Sequence, residues 1–347
     1  MRPCDVTVIG GAGFIGKAVT SLLRGEGRSV RVVSRNAGRI GSDDPKIGYV
    51  GADVADAAAI SDSIAGSRAV VYLATGGGAT WSDFERDFVG GARNVGQACL
   101  RHAVRRLVYT SSTAALYLGR KMTIDESAGV DGTGAGRGMY SRAKIMAEGL
   151  LQEMRATSQL PVVVVRPGVV VGRGGMLNHS GIGLWPSDTC CIGWGRGNTP
   201  LPFVLVDDVA RAIVSALDTP AIEGMCFNLA GDVNLSAREF VRLLAERSFR
   251  NCRFYPQSFA KMQLLEIGKW LLKHLARKRD NPFPSYRDLK SRSMRSQLDT
   301  SAAKKFLNWS PNRSREVFIA EAIESHCPPP PAGDLRLTLS GDAAVAR

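Results

Sequence analysis

The run Gly10-Gly11-Ala12-Gly13-Phe14-Ile15-Gly16 restricts the fold of this chain more than any other stretch because of its flanks. A β-branched run, Asp5-Val6-Thr7-Val8-Ile9, precedes it, and a helical pattern over residues 17–24 comes after it. Glycines at Gly10, Gly13 and Gly16 in that setting allow a tight turn, a close approach of backbone N–H groups to an anion, and near contact of helix with strand. The helix N-terminus adds a partial positive charge. The context predicts a pyrophosphate site formed by Gly10, Gly13, Phe14, Ile15 and Gly16.

Residues 29–110 repeat the same alternation. Residues 29–34, 69–74 and 106–110 are apolar, β-rich runs, and residues 57–65 and 83–102 carry helical periodicity; a further strand ends at Gly51-Ala52-Asp53-Val54. Strands buried on both faces read as continuous apolar runs, as Ala69-Val70-Val71-Tyr72-Leu73-Ala74 does, so the sheet is expected to be parallel and covered by helices. Right-handed crossovers then give an α/β, Rossmann-type doubly wound sheet. A helix over 140–157 and the strand Val162-Val163-Val164-Val165-Arg166-Pro167 extend it. The expected division is a dinucleotide-binding domain over 1–171, to which 203–232 partly returns, and a smaller, mainly helical substrate lobe from 172–202 and 233–327. Within that lobe 172–199 is expected as a long loop, Asn234 or Ser236 as the N-cap of a helix over 237–247, and 254–298 as a basic, amphipathic insert. The proline-led tail, 328–347, is expected to be disordered.

The second strand ends in Ser34-Arg35-Asn36. An acidic residue there would accept from the 2′-hydroxyl of NAD, whereas Arg35 favours a 2′-phosphate, so NADP(H) is expected ahead of NAD(H), with Arg39 as a second contact. Asp53 is expected either to accept from the adenine amino group or to cap the following helix. Val54, Ala74 and Pro167, at or just past strand ends, are expected along the same cleft.

Two further features complete a chemical pattern. Val108-Tyr109-Thr110-Ser111-Ser112-Thr113 closes a strand, and Tyr140-Ser141-Arg142-Ala143-Lys144 opens a helix 28 residues after Ser112. Tyr140 and Lys144 at i and i+4 share a helix face. A phenol titrates near ~10, too high for easy exchange at neutral pH, and a neighbouring cation is expected to lower it. With Ser112 on the same substrate oxygen, Tyr140 would pass a proton while hydride moves; Lys144 would also hold the cofactor ribose.

Together with Arg166-Pro167-Gly168, Val206-Asp207-Asp208-Val209-Ala210 and Leu307-Asn308-Trp309, these motifs resemble the extended short-chain dehydrogenases/reductases, the family of nucleotide-sugar epimerases, dehydratases and dihydroflavonol-type reductases, over roughly residues 5–325. The resemblance implies the triad Ser112, Tyr140 and Lys144. Thr113 is the alternative to Ser112, chosen by counting back from Tyr117. It also implies a nucleotide-linked sugar as substrate, as in polysaccharide biosynthesis; a lipid-linked sugar is the expectation if the basic helix of the 254–298 insert docks on a membrane. Family 4,6-dehydratases place Asp-Glu after the catalytic threonine; Ala114-Ala115 stand here, which disfavours dehydration. Asp87 replaces the Asn of many relatives. Arg35 puts reduction slightly ahead of epimerisation. Arg166, Arg173 and Arg196 are candidate phosphate contacts, and His179 a candidate pocket residue. The competing reading is a non-catalytic cofactor-binding subunit or sensor on the same fold.

The net charge of +13 is concentrated: residues 247–315 hold 17 Lys or Arg against six Asp or Glu, counting the flanking Glu246 and Glu316. There Leu264, Ile267, Leu271 and Leu275 share a helical face, with Trp270 and Leu272 close by and Lys269, Lys273 and Arg277–Arg279 as the cationic part. Such a helix either lies in an anionic membrane interface or covers the substrate cleft. No nucleic-acid module accompanies the charge, so nucleic acid is not an expected partner; a homodimer stays open. No secretory signal opens the chain and no apolar window approaches ~18 residues, so a cytoplasmic protein is expected, associated with the inner membrane face if the helix docks. Seven cysteines with no CxxC pair or zinc spacing read as reduced thiols, with Cys99 and Cys226 in the core and no metal site.

Overall fold

The computed structural model describes residues 3–37, 44–248, 251–276 and 283–326. Arg39, Arg277–Arg279, Cys327 and the tail 328–347 lie outside the described residues.

Seven parallel strands form the central sheet: β1 (Cys4–Ile9), β2 (Val30–Ser34), β3 (Ile47–Gly51), β4 (Ser67–Tyr72), β5 (Arg106–Thr110), β6 (Val162–Pro167) and β7 (Cys226–Leu229). Their order is β7-β6-β5-β4-β1-β2-β3, the doubly wound arrangement that reverses beside β1. Val6 stands between Val30 and Ala69, which fixes the register at that reversal. Alternation in β4 divides the core: Ala69 and Val71 face one layer, Val70 and Tyr72 the other. The first layer packs under α1 (Phe14–Gly25) and α5 (Val206–Asp218); the second packs under α2 (Ala57–Ile64), α3 (Gly91–Arg101) and α4 (Met139–Ser158). Cys99 is buried in the second layer and Cys226 packs against it; no disulfide is formed among the described cysteines.

A third apolar cluster lies in the lobe built around α6 (Ala237–Arg247), where the Phe203 and Phe240 rings stack at 4.9 Å and Phe318 meets Phe203 edge-on at 5.9 Å. Burying such a ring contributes roughly 1.5–3 kcal/mol. Ser236, rather than Asn234, caps α6, and Glu239 completes a reciprocal capping box. Two family-like motifs prove to be one architectural joint: Trp309 Nε1 donates to the carbonyl of Asp208 at 2.8 Å, and Ser215 Oγ to that of Leu307 at 2.7 Å.

The fold departs from expectation in three places. The helix predicted over 83–102 is broken: a turn at Trp81–Phe84 and a π-type stretch at Glu85–Gly90 precede α3. The segment expected as a loop, 172–199, contains an antiparallel pair, Gly183–Ser187 with Cys190–Gly193, onto which Arg253–Tyr255 adds in parallel. Pairing with a segment about 60 residues later supplies hydrogen bonds that the local composition did not announce. Finally, α7 (Phe259–Leu275) does not turn its leucines inward; among its residues only Met262 is buried.

Candidate active site

The glycine loop joins β1 to α1. Gly10 has φ +86°, and a Cβ there would stand 2.6 Å from the amide nitrogen of Ala74; a Cβ at Gly16 would run into the Gly10 carbonyl and stand 2.5 Å from Gly11 Cα. The loop thus presses against the end of β4, and only hydrogen atoms fit. No side chain caps α1, so its N-terminal amides face the cleft. That cleft, about 360 Å³, is lined by Gly10, Gly13, Phe14, Ile15, Gly16, Arg35, Asp53, Val54, Ala74 and Asp87, among others. Pro167 ends β6 and Lys144 lies in α4, both outside this lining.

Ser34 Oγ, also on the cleft wall, is buried without a hydrogen-bond partner. A buried hydroxyl lacking a partner beside an exposed guanidinium, Arg35, fits an anionic group bound between them. Together with the glycine cradle and the uncapped helix, this makes the cleft fit a dinucleotide. Ser34 went unassigned in the sequence, although its place directly before Arg35 at a strand end was the available signal. Asp53 does not cap α2. Asp56 does, accepting from Ala58 and Ala59, which leaves Asp53 with one local bond from Ala55 N at 3.0 Å and a place on the cleft wall.

β5 ends at Thr110, and the chain then brings the Ser112 side chain near enough to Tyr140 to lower its phenol, while Ser112 Oγ accepts from Ala114 N at 3.1 Å. Thr113, by contrast, is buried. Tyr140 packs edge-on to Phe88, 5.8 Å between centroids, and Phe88 belongs to the π-type stretch that broke the predicted helix. The same stretch buries Asp87, held by Arg86 Nε at 2.7 Å. A π-type turn widens the helix locally and re-aims its side chains. Lys144, 1% exposed, donates from Nζ to the Thr110 carbonyl at 2.8 Å and lies 5.2 Å from the Tyr109 ring centroid.

The electrostatics invert one expectation. Desolvation by neighbouring groups raises the Tyr140 phenol, although its side chain remains 42% exposed, with Ser112 opposing the rise, and burial pushes Lys144 down to about 7 against the supporting charge of Glu148. A lysine so desolvated is only partly cationic at neutral pH, and it does not bring the phenol below its ordinary value in this structure.

Arg166 is also corrected. It is 2% exposed, donates from Nε (3.0 Å) and Nη2 (2.5 Å) to Glu148, and gives Nη1 to the Ala128 carbonyl. Its guanidinium faces the interior, and Ser111 Oγ binds the other Glu148 oxygen at 2.5 Å. Arg166 and Glu148 form a buried joint between β6 and α4 and do not reach a substrate phosphate. Arg173 is exposed on the surface. His179 accepts at Nδ1 from Gly181 N at 2.9 Å, and burial lowers its pKa, so it stands as a neutral ring that stabilises its own turn. Arg196 lines a second cavity of about 500 Å³ with Trp194, Phe259, Arg292 and Arg295. The insert, expected either to lie in a membrane interface or to cover the substrate cleft, reaches the segment just before α4: Asp288 of α8 (Tyr286–Ser291) accepts from Arg137 Nε at 3.0 Å and from Arg292 Nε at 3.1 Å.

Among the described residues no group of three or more His, Cys, Asp or Glu is placed to hold a metal ion, and no helix is long and apolar enough to cross a membrane. Cinnamoyl-CoA reductase 2 of Medicago truncatula is 26% identical over 303 residues, covering 76% of this chain and 85% of that protein. A 3 beta-hydroxysteroid dehydrogenase/Delta 5→4-isomerase of Mycobacterium tuberculosis is 28% identical over 178 residues, 49% of this chain; the match spans 48% of the length of that relative. The solved structure of MoeE5 in complex with UDP-glucose and NAD superposes with a TM-score of 0.69 at 21% identity, covering 92% of this chain and 98% of that one, which establishes likeness of fold. The model of the NAD dependent epimerase/dehydratase family matches residues 6–230, from the glycine loop through Tyr140 and Lys144 to the seventh strand, and the chain therefore belongs to that family, within the extended short-chain dehydrogenases/reductases.

Proposed function

We propose that this chain is an NADP(H)-dependent oxidoreductase that moves hydride between the nicotinamide and a hydroxyl or carbonyl carbon of a sugar-like substrate, nucleotide- or lipid-linked, with Tyr140 as acid and base. The observation that carries the reading is the glycine-loop cleft with its unpartnered Ser34 hydroxyl beside Arg35, on a sheet where β5 runs beside β4 and ends just before Ser112, with Tyr140 near it.

The bound nicotinamide supplies or takes up the hydride. Tyr140 gives its phenolic proton to the substrate oxygen as the attached carbon gains hydride, and Ser112 donates a hydrogen bond to that oxygen. A phenol that is not brought below its ordinary value stays protonated at neutral pH, which is the form needed to donate. Arg35, which suits an exchangeable NADP(H), puts reduction ahead of epimerisation; the matched relatives include, by name, a reductase and a dehydrogenase/isomerase alongside epimerase-family proteins. Lys144, fixed to the Thr110 carbonyl, would hold the cofactor ribose with its remaining N–H donors. At the far end Arg35 and the Ser34 hydroxyl would hold the 2′-phosphate, and Asp53 would accept from the adenine amino group. Arg196, with Arg292 and Arg295 at the second cavity, is a guanidinium available for a substrate phosphate.

Tyr140→Phe tests the assignment. Turnover of NADPH with a panel of sugar nucleotides and ketones should vanish while NADPH affinity stays within about twofold of wild type; a variant that retains turnover removes Tyr140 from the reaction. A non-catalytic cofactor sensor is the second reading. The nearness of Tyr140 to Ser112 argues against it, and cofactor that co-purifies without turnover of any panel member would restore it.

A further inference from the structure

The exposed face of α7 has no role in the chemistry above. Leu264, Leu265, Leu271, Leu272 and Leu275 are between 48% and 78% exposed. Their spacing, i, i+1, i+7, i+8 and i+11, places them on one stripe of an α-helix. The opposite side anchors the helix to the protein: Met262 is buried, Gln263 Nε2 donates to the Pro284 carbonyl at 2.7 Å, and Trp270 packs edge-on to Phe283 at 5.3 Å. The leucines are therefore not needed to seat the helix. Three lysines, Lys261, Lys269 and Lys273, stand exposed on the same helix against one acidic residue, Glu266, which pairs with Lys269 at 2.8 Å. They belong to the part of the chain where cations most outnumber anions.

From this geometry we infer that α7 docks the enzyme on an anionic phospholipid bilayer, with its leucine stripe in the headgroup–acyl boundary and its lysines among the lipid phosphates. By helical spacing Lys261 falls within the leucine stripe, Lys269 at its edge and Lys273 beyond it; an exposed apolar stripe accompanied by lysines that can reach lipid phosphates suits interfacial binding, and at 17 residues the helix is too short and too charged to span. A second copy of the chain would also cover the leucines, but pairing two such helices brings like charges together, whereas anionic lipid neutralises them. Phe259, at the start of α7, lines the cavity that holds Arg196, so docking would set that cavity close to the lipid surface. Docking of this kind does not depend on the assigned chemistry, and its test does not read activity.

The full-length protein is sedimented with vesicles of phosphatidylglycerol or of phosphatidylcholine, at low and at 0.5 M salt. Binding to phosphatidylglycerol is expected, weakened by salt, with little binding to phosphatidylcholine. Each cation near an anionic surface contributes about fivefold, so K261Q/K269Q/K273Q should weaken binding on the order of a hundredfold. L271S/L272S, both exposed and so compatible with folding, should abolish it. Equal binding to the two lipids, or undiminished binding of L271S/L272S, overturns the proposal. So does a concentration-dependent dimer that L271S/L272S disperses when wild type ignores both vesicles.

Discussion

Replacing Arg35 by alanine separates the two cofactors in a way the structure makes quantitative. Arg35 is exposed on the cleft wall, and Ser34 Oγ beside it is buried without a partner. A hydrogen bond between charged groups contributes roughly 1.5–3 kcal/mol, and an exposed guanidinium sits at the lower end because water and salt screen it. A loss of about 1.4 kcal/mol is tenfold in affinity. Arg35→Ala should therefore raise the Kd for NADPH about tenfold at low ionic strength, by less in 0.5 M salt, and leave the Kd for NADH within about twofold. Ser34→Ala should weaken NADPH in the same selective direction, since its hydroxyl has no other bond to keep. Calorimetric titration of both cofactors against wild type and the two variants measures the difference directly. Equal weakening of NADH and NADPH, or no change in either, refutes the assignment of Arg35 to the 2′-phosphate.

The geometry sets three other expectations. Gly16→Ala forces a Cβ onto the backbone of Gly10 and Gly11, so cofactor binding should be lost and stability should fall by roughly 1–3 kcal/mol, as read by titration and thermal unfolding. Glu148→Gln strips the buried Arg166 of its counter-charge and should cost about 3–5 kcal/mol in urea unfolding; a change under about 1 kcal/mol would show that the joint is not needed. Lys144 titrates near 7 in the folded protein and at its ordinary, higher value unfolded, so between those values the unfolded chain binds the extra proton and stability rises with pH, by at most about 1.4 kcal/mol per unit. Lys144→Met should remove that rise between pH 7 and 9, and a wild-type stability that falls relative to Lys144→Met over the same range contradicts the burial argument.

How far the sequence carried depended on the distance over which each constraint acts. The glycine loop, the apolar runs of β4 and β6 and the i,i+4 spacing of Tyr140 and Lys144 are set by neighbours within a few residues, and each was legible, as was the α6 cap to within a choice of Asn234 or Ser236. The fold class comes from their order, because parallel strands joined by helices admit few arrangements. Asp53 and Asp56 were a closer contest: both stand before α2, and only the backbone path shows that Asp56 reaches its first amides.

Tertiary structure decided whatever required a partner from another element. Arg166 looked like a cleft residue until Glu148, on α4, appeared beside it; in the interior a guanidinium is stable only with such an anion, so the fold consumed a donor that the sequence offered to a substrate. The π-type stretch that brings Phe88 to Tyr140 and the burial that holds Lys144 near 7 arise from packing around α4. Periodicity alone marked an apolar stripe on α7 without saying which side the protein would cover, since an amphipathic helix carries the same pattern toward a core or toward a membrane. The order of residues thus determined where a dinucleotide cleft and a Tyr–Lys helix form. The packing of distant elements determined which charges remain free to act there and left the leucines of α7 facing outward.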